Sequence, residues 1–160
     1  MILGIKIVLI ISFLFVFLQD FKTREVYWVL FPIIASCCGI LHYKNVVYST
    51  FIYTIGLNLT FISLMLLVIY LYSKYKLNMA FKNTFGLGDV LLFIGLIFSF
   101  SSTSFIIIFV FSLVFALVLH LFFKNKTNNS SVPLAGYLSL FFASVYVSHW
   151  LGAIPNIYNI

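Results

Sequence analysis

Residues 105–123 read FIIIFVFSLVFALVLHLFF, a run that no charged residue interrupts. At ~1.5 Å per residue in a helix, it comes close to the ~30 Å of hydrocarbon that a membrane span must cross. Runs of the same kind recur at 2–18, 26–43, 46–72, 90–100 and 132–154. The run 46–72 is long enough to tilt or to extend out of the membrane. The run 90–100 is short, and crosses only if the serine-rich stretch 101–104 extends its helix or the bilayer thins around it. The run 2–18 lacks the basic leader and small-residue cleavage site of a signal peptide, and reads as a retained helix. The chain of 160 residues is 64% hydrophobic and 8% charged, too little polar surface for a soluble domain of this length. The expectation is an all-α polytopic membrane protein, a bundle of about six transmembrane helices forming one domain over 1–160 with the lipid bilayer as its surroundings.

The net charge of +6 does not point to nucleic acid, because the basic residues sit in short loops between apolar runs. Lys22 and Arg24 follow the first run, Lys74, Lys76 and Lys82 the third, and Lys124 and Lys126 the fifth. In a six-span chain all of these fall on one side, with Lys6 and Lys44 near the other. The excess of loop Lys and Arg on the cytoplasmic side then places the three basic loops in the cytoplasm and both termini outside. The loop 73–88 mixes apolar and basic residues and suits either an interfacial amphipathic segment or a solvated loop. The loop 124–131 is polar and turn-rich, and Pro133 after it suits the first turn of a helix. Cys37 and Cys38 are adjacent within an apolar run, so they face different ways on a helix and read as packing rather than metal ligands.

Three acidic residues occur in the whole chain: Asp20, Glu25 and Asp89. Asp20 ends the first apolar run and Asp89 precedes the fourth, so both lie at the same membrane face in the topology above. Ionisable groups at such a boundary are costly and call for a reason. Two facing carboxylates that hold one proton between them can hydrolyse an amide, the ionised one taking a proton from water and the protonated one donating to the substrate. Taken singly, each aspartate also suits a helix cap, Asp89 as an N-cap in particular. Asp89 ends the tetrapeptide Gly86-Leu87-Gly88-Asp89, whose glycines keep side chains away from the carboxylate and allow the backbone to bend.

These elements together make the chain resemble the type IV prepilin and preflagellin peptidases, the membrane aspartyl peptidases with a G-x-G-D motif. The resemblance covers nearly the whole chain. Asp20-Phe21-Lys22-Thr23-Arg24-Glu25-Val26-Tyr27-Trp28 is similar to the family's aspartate, basic stretch and Ile-Pro-Asn-like element. Gly86-Leu87-Gly88-Asp89-Val90-Leu91-Leu92 is similar to its G-x-G-D-V-K-L, and Val132-Pro133-Leu134-Ala135-Gly136 to a segment opening its last helix. Tyr27 and Trp28 stand where the family usually has proline and asparagine, and Leu91 where it usually has lysine. The resemblance implies that Asp20 and Asp89 are the catalytic pair, with Gly86 and Gly88 supporting them. It implies prepilin-like substrates, each with a short basic leader ahead of a hydrophobic helix, cut at the cytoplasmic face of the inner membrane and commonly after glycine. The chain lacks the cysteine-rich insert of the longer, N-methylating members, so peptidase activity alone is expected, with no cofactor, metal or nucleic-acid partner.

Lys22, Arg24, Glu25 and Pro133 are candidates for contacts with substrate or loops; Lys22 and Arg24 also read as topology determinants and Glu25 as a solvated loop residue. His42 is expected near the outer interface, and His120 and His149 as hydrogen-bonded packing residues or members of a proton relay. Asn58 and Thr60 are expected to bond between helices, and Trp28 and Trp150 to anchor at the interfaces. Two other classes fit the composition. One is a small proton- or ion-conducting protein, which also uses paired intramembrane acids. The other is a catalytically inactive relative acting in pilus or secretion assembly.

Overall fold

A computed structural model of the chain describes residues 2–77, 86–123, 132–154 and 157–158. Each apolar run becomes a helix: α1 (Ile2–Lys22), α2 (Leu30–Tyr43), α3 (Tyr48–Tyr72), α4 (Leu87–Leu96), α5 (Ser102–Phe123) and α6 (Leu134–Trp150). A π-helical turn, Ser73–Leu77, continues α3. The described residues form no strand, and the fold is an all-α membrane bundle. Three stretches are long and apolar enough to cross a bilayer: Ile2–Lys22, Tyr48–Lys76 and Ser102–Phe122. Helices α2 and α4 are shorter apolar helices. Large apolar side chains such as Phe111, Leu117 and Leu121 remain exposed along α5, as they do on a helix whose solvent is lipid.

Helix α6 is the axis of the bundle. It packs most extensively against α1, then against α5, and also touches α4. Its buried positions run nearly without interruption from Ala135 to Tyr146, as expected for a helix enclosed by neighbours on most sides. The first and last helices are therefore partners, and they run antiparallel: the end of α1 meets the start of α6 through Asp20 and Gly136. At the other end Lys6 lies over the Trp150 ring, 4.8 Å from its centroid. Between these ends Phe13, Phe100, Phe142 and Tyr146 form an aromatic core, with Phe100 stacked on Phe142 at 6.0 Å between centroids and tilted against Tyr146 at 4.8 Å.

Helix α3 is attached along a single stripe. Only Thr54, Asn58 and Ile62 are buried on it, at the four-residue spacing that puts side chains on one helix face. Asn58 bonds between elements as expected, its Nδ2 donating to the carbonyls of Ile97 and Phe100 at 3.0 and 3.1 Å. Thr60 does not; its hydroxyl donates to Gly56 one turn back in its own helix.

The serine stretch 101–104 does not extend the fourth helix. Helix α4 ends at Leu96, residues 97–101 turn, and Ser102 opens α5 instead. Ser99 reaches back to the Leu96 carbonyl at 2.6 Å, and the Ser101 carbonyl already accepts from Phe105 of the next helix at 2.7 Å. Short hydroxyls that bond to nearby backbone favour such breaks over continuous helix. His42, in the last turn of α2, is fully buried in the protein, with Nδ1 3.3 Å from the Phe98 carbonyl and its ring stacked on Tyr158. His149 is held by the Ile154 carbonyl at 2.8 Å. Cys37 and Cys38 are both buried and unbridged, as packing residues are. The expectations for residues 78–85 of loop 73–88, Lys82 among them, and for loop 124–131 with Lys124 and Lys126 fall outside the described residues.

Candidate active site

The fold brings Asp20 and Asp89 to the same end of α6. The first N–H groups of a helix have no partner within it and carry the positive end of its dipole, so they attract anions. Two consecutive amides at the start of α6 are taken up in this way. The amide of Ala135 donates to Asp89 Oδ1 at 2.7 Å, and the amide of Gly136 donates to Asp20 Oδ2 at 2.6 Å. The two carboxylates reach these neighbours from different helices, Asp20 from the last turn of α1 and Asp89 from the first turn of α4. Each lies within electrostatic reach of the other.

Gly136 makes the first contact possible. A Cβ there would meet the Asp20 Cβ and Oδ2 at 3.2 Å and the Phe17 carbonyl at 3.4 Å, so a larger residue would push α1 away from α6. Gly86 has the same role for Asp89. It is the N-cap of α4 with extended backbone, and its amide hydrogen-bonds the Asp89 carboxylate that reaches back to it. This is one half of a capping box, the acid at the third helical residue accepting from the N-cap amide, since glycine has no side chain to return the bond. A Cβ on Gly86 would sit 2.8 Å from Asp89 Oδ2. Gly88 is different: a Cβ there would meet only the Phe31 ring, at 3.8 Å. Of the two motif glycines, Gly86 lies against the carboxylate and Gly88 against the packing of α2.

A cavity of about 370 Å³ opens onto both aspartates. Arg24, Glu25, Trp28, Phe31 and Leu91 contribute to its walls, together with Gly86 and Gly88. The loop from α1 to α2 that supplies the first three is tied to the end of α1. Gln19 Oε1 accepts from the Tyr27 amide at 3.0 Å, and Thr23 Oγ1 donates to the carbonyls of Gln19 and Glu25. Lys22 is exposed and Pro133 is the N-cap of α6; neither lines the cavity. Among the described residues no group of three His, Cys, Asp or Glu side chains gathers in the way a metal site requires.

Reading the sequence passed over Gln19 and Phe31, and it noted Ala135 and Gly136 without the role of their amides. Ala135 and Gly136 carried a signal, small residues just after a proline at a helix start, where backbone N–H groups are free to bind. Gln19 and Phe31 carried none, because their roles exist only after α1, α2 and α4 have packed.

Fold and site together define a helical membrane protein with two acidic side chains held side by side on one helix N-terminus. In comparisons with known proteins, no family model, no curated protein and no solved structure matches the chain.

Proposed function

We propose that this chain is a membrane aspartyl endopeptidase, in which Asp20 and Asp89 activate water against a peptide bond at the membrane boundary. One observation carries the reading: neighbouring amides of α6 take one carboxylate each, so the acids at the ends of two separate helices face a single cavity. A close pair of carboxylates resists double ionisation and holds one proton between its members. The ionised member accepts a proton from water while the water oxygen bonds to the carbonyl carbon. The protonated member donates to the carbonyl oxygen, and collapse of the tetrahedral species breaks the C–N bond as the leaving nitrogen is protonated. The proton belongs to the pair as a unit, so neither aspartate is assigned a permanent role.

The substrate class proposed is a prepilin-like protein, whose short basic leader would be removed at the cytoplasmic face of the inner membrane. The distribution of Lys and Arg supports that sidedness. A hydrophobic substrate helix would enter laterally from lipid, and the many exposed apolar side chains of the bundle suit such an approach.

The test is co-expression of the chain with a prepilin-like protein from the same genome, followed by the size of that protein in membranes. Wild type is expected to shorten it, and Asp20→Asn and Asp89→Asn, each properly inserted, to leave it intact. Wild-type cleavage by either variant would show that aspartate to be structural. No cleavage of any prepilin offered would favour the inactive assembly relative, and proton flux in proteoliposomes would favour the ion-conducting protein.

A further inference from the structure

The loop that leaves α1 is strained at one position. Among the described residues, Arg24 is the non-glycine residue with positive φ, at 61°. A side chain is crowded in that conformation, and it persists only where surrounding contacts impose it. Those contacts are the anchors of Gln19 and Thr23 on either side of Arg24, and their effect is to place Arg24 in the wall of the cavity that holds Asp20 and Asp89. The Arg24 Nη1 is buried and has no acceptor among the described residues. A guanidinium has several N–H donors in a fixed fork, and a buried donor left unpaired is unfavourable. Its charge acts on Asp20 and Tyr137, yet Nη1 itself finds no acceptor among the described residues.

We infer that Arg24 is a substrate-binding residue of this site, its guanidinium donating to a backbone carbonyl oxygen of the peptide beside the scissile bond. The inference rests on the peptidase reading and names one of the contacts that reading requires. A peptide that is cut must be unwound locally, and its freed carbonyls need donors where bilayer water is scarce. The aspartates are acceptors when ionised, and Arg24 is the cation among the cavity-lining side chains. The arrangement also explains how a basic leader is tolerated by a basic loop. The leader's charges are kept away from the scissile bond by Arg24 and are directed outward to the exposed Glu25 at the cavity wall.

The test exploits the strained φ. Glycine adopts φ near +60° at no steric cost, so Arg24→Gly keeps the turn and relaxes it while removing the guanidinium. Arg24→Met keeps the bulk and the strain but removes the donors. Both are assayed in reconstituted membranes against a synthetic peptide with a basic leader ahead of an apolar helix, alongside thermal unfolding. The expected result is a fall of about tenfold or more in kcat/KM, carried mainly by KM, with Arg24→Gly at least as stable as wild type. A stable variant of either kind with unchanged KM overturns the inference. So does a variant that changes only the pH profile, since the guanidinium would then act through Asp20. If wild type cleaves and Arg24→Gly matches it, the aspartyl reading stands and this inference alone falls; if wild type cleaves no such peptide, both fall.

Discussion

The two ends of the bundle are both polar, and they handle polarity in opposite ways. At one end Asp20 and Asp89 hold formal acids against an open cavity, on amides that α6 would otherwise leave unpaired. At the other end the buried polar side chains around the helix break are neutral. His42, Asn58, Ser99 and Ser101 are all buried around the break at 97–101, and most of their bonds go to backbone carbonyls of that break or its neighbours. Tyr146 adds its hydroxyl to the Ser99 carbonyl at 3.4 Å. Irregular backbone is tolerated at membrane depth only where protein groups satisfy it, and this end does that. The lesson is that a polar side chain in such a bundle either saturates backbone or stores charge toward a cavity. The partner atom tells which: a mid-chain carbonyl in the first case, a helix-end amide in the second.

Exchange of the stored charge should produce the largest effect. Asp20→Asn and Asp89→Asn keep shape and lose the titratable proton, and each is expected to lower cleavage by at least ~100-fold, the scale of general acid–base catalysis. Thermal stability should change far less, since an asparagine side chain can still accept from the Ala135 or Gly136 amide. Wild-type activity is expected to fall at both low and high pH, because the pair works with one proton. Substitutions at the enclosed end should leave both limbs of that profile in place.

A smaller and more discriminating contrast separates the glycines of the Gly86-Leu87-Gly88-Asp89 motif. Gly86→Ala places a methyl 2.8 Å from Asp89 Oδ2, so the carboxylate must swing away from the cavity geometry it now has. Gly88→Ala meets only the Phe31 ring at ordinary contact distance. Gly86→Ala is expected to reduce cleavage about tenfold or more, the scale of a misplaced catalytic group. Gly88→Ala should stay near wild type and be no less stable, since alanine favours helix over glycine by ~1 kcal/mol. Equal loss in the two variants would show that both glycines serve the backbone rather than the carboxylate.

What could be read from the chain before folding follows the same division. The apolar runs announced all six helices, because in a bilayer composition alone sets where a helix must form. Asp20 and Asp89 stood out because acids are rare and costly in such a chain, and the basic loops put them at one end. The break between the fourth and fifth runs was expected at 101–104 and lies at 97–101: Ser99 and Ser101 are small enough to ride in a helix, and only their bonds to Leu96 and Ile157 reveal where the turn falls. That His42 would be enclosed by Phe98, Phe51 and Tyr158 was not legible, because these neighbours come from other segments of the chain. The amides of Ala135 and Gly136 belong to no side chain, and residue types cannot show which backbone groups meet an acid from another helix.

At the enclosed end the expected effects are on stability and are smaller still. Asn58→Leu would strip two donors from the carbonyls of Ile97 and Phe100 and leave those carbonyls buried, at a cost of about 1–2 kcal/mol. The cost is moderated because Asn58 Oδ1 has no partner in the native bundle, so its removal relieves one unsatisfied acceptor. Thr60→Val, two residues along the same helix, is the control. Thr60 is exposed and bonds only within α3, so its loss should stay within ~0.5 kcal/mol. Thermal unfolding in one detergent, with cleavage measured in parallel, checks the pair. Destabilisation by Asn58→Leu with little change in kcat/KM would keep the two ends separate. A drop in kcat/KM as deep as that of Gly86→Ala, with stability unchanged, would mean that the break at 97–101 communicates with the aspartates along α4, and that the two ends are one device.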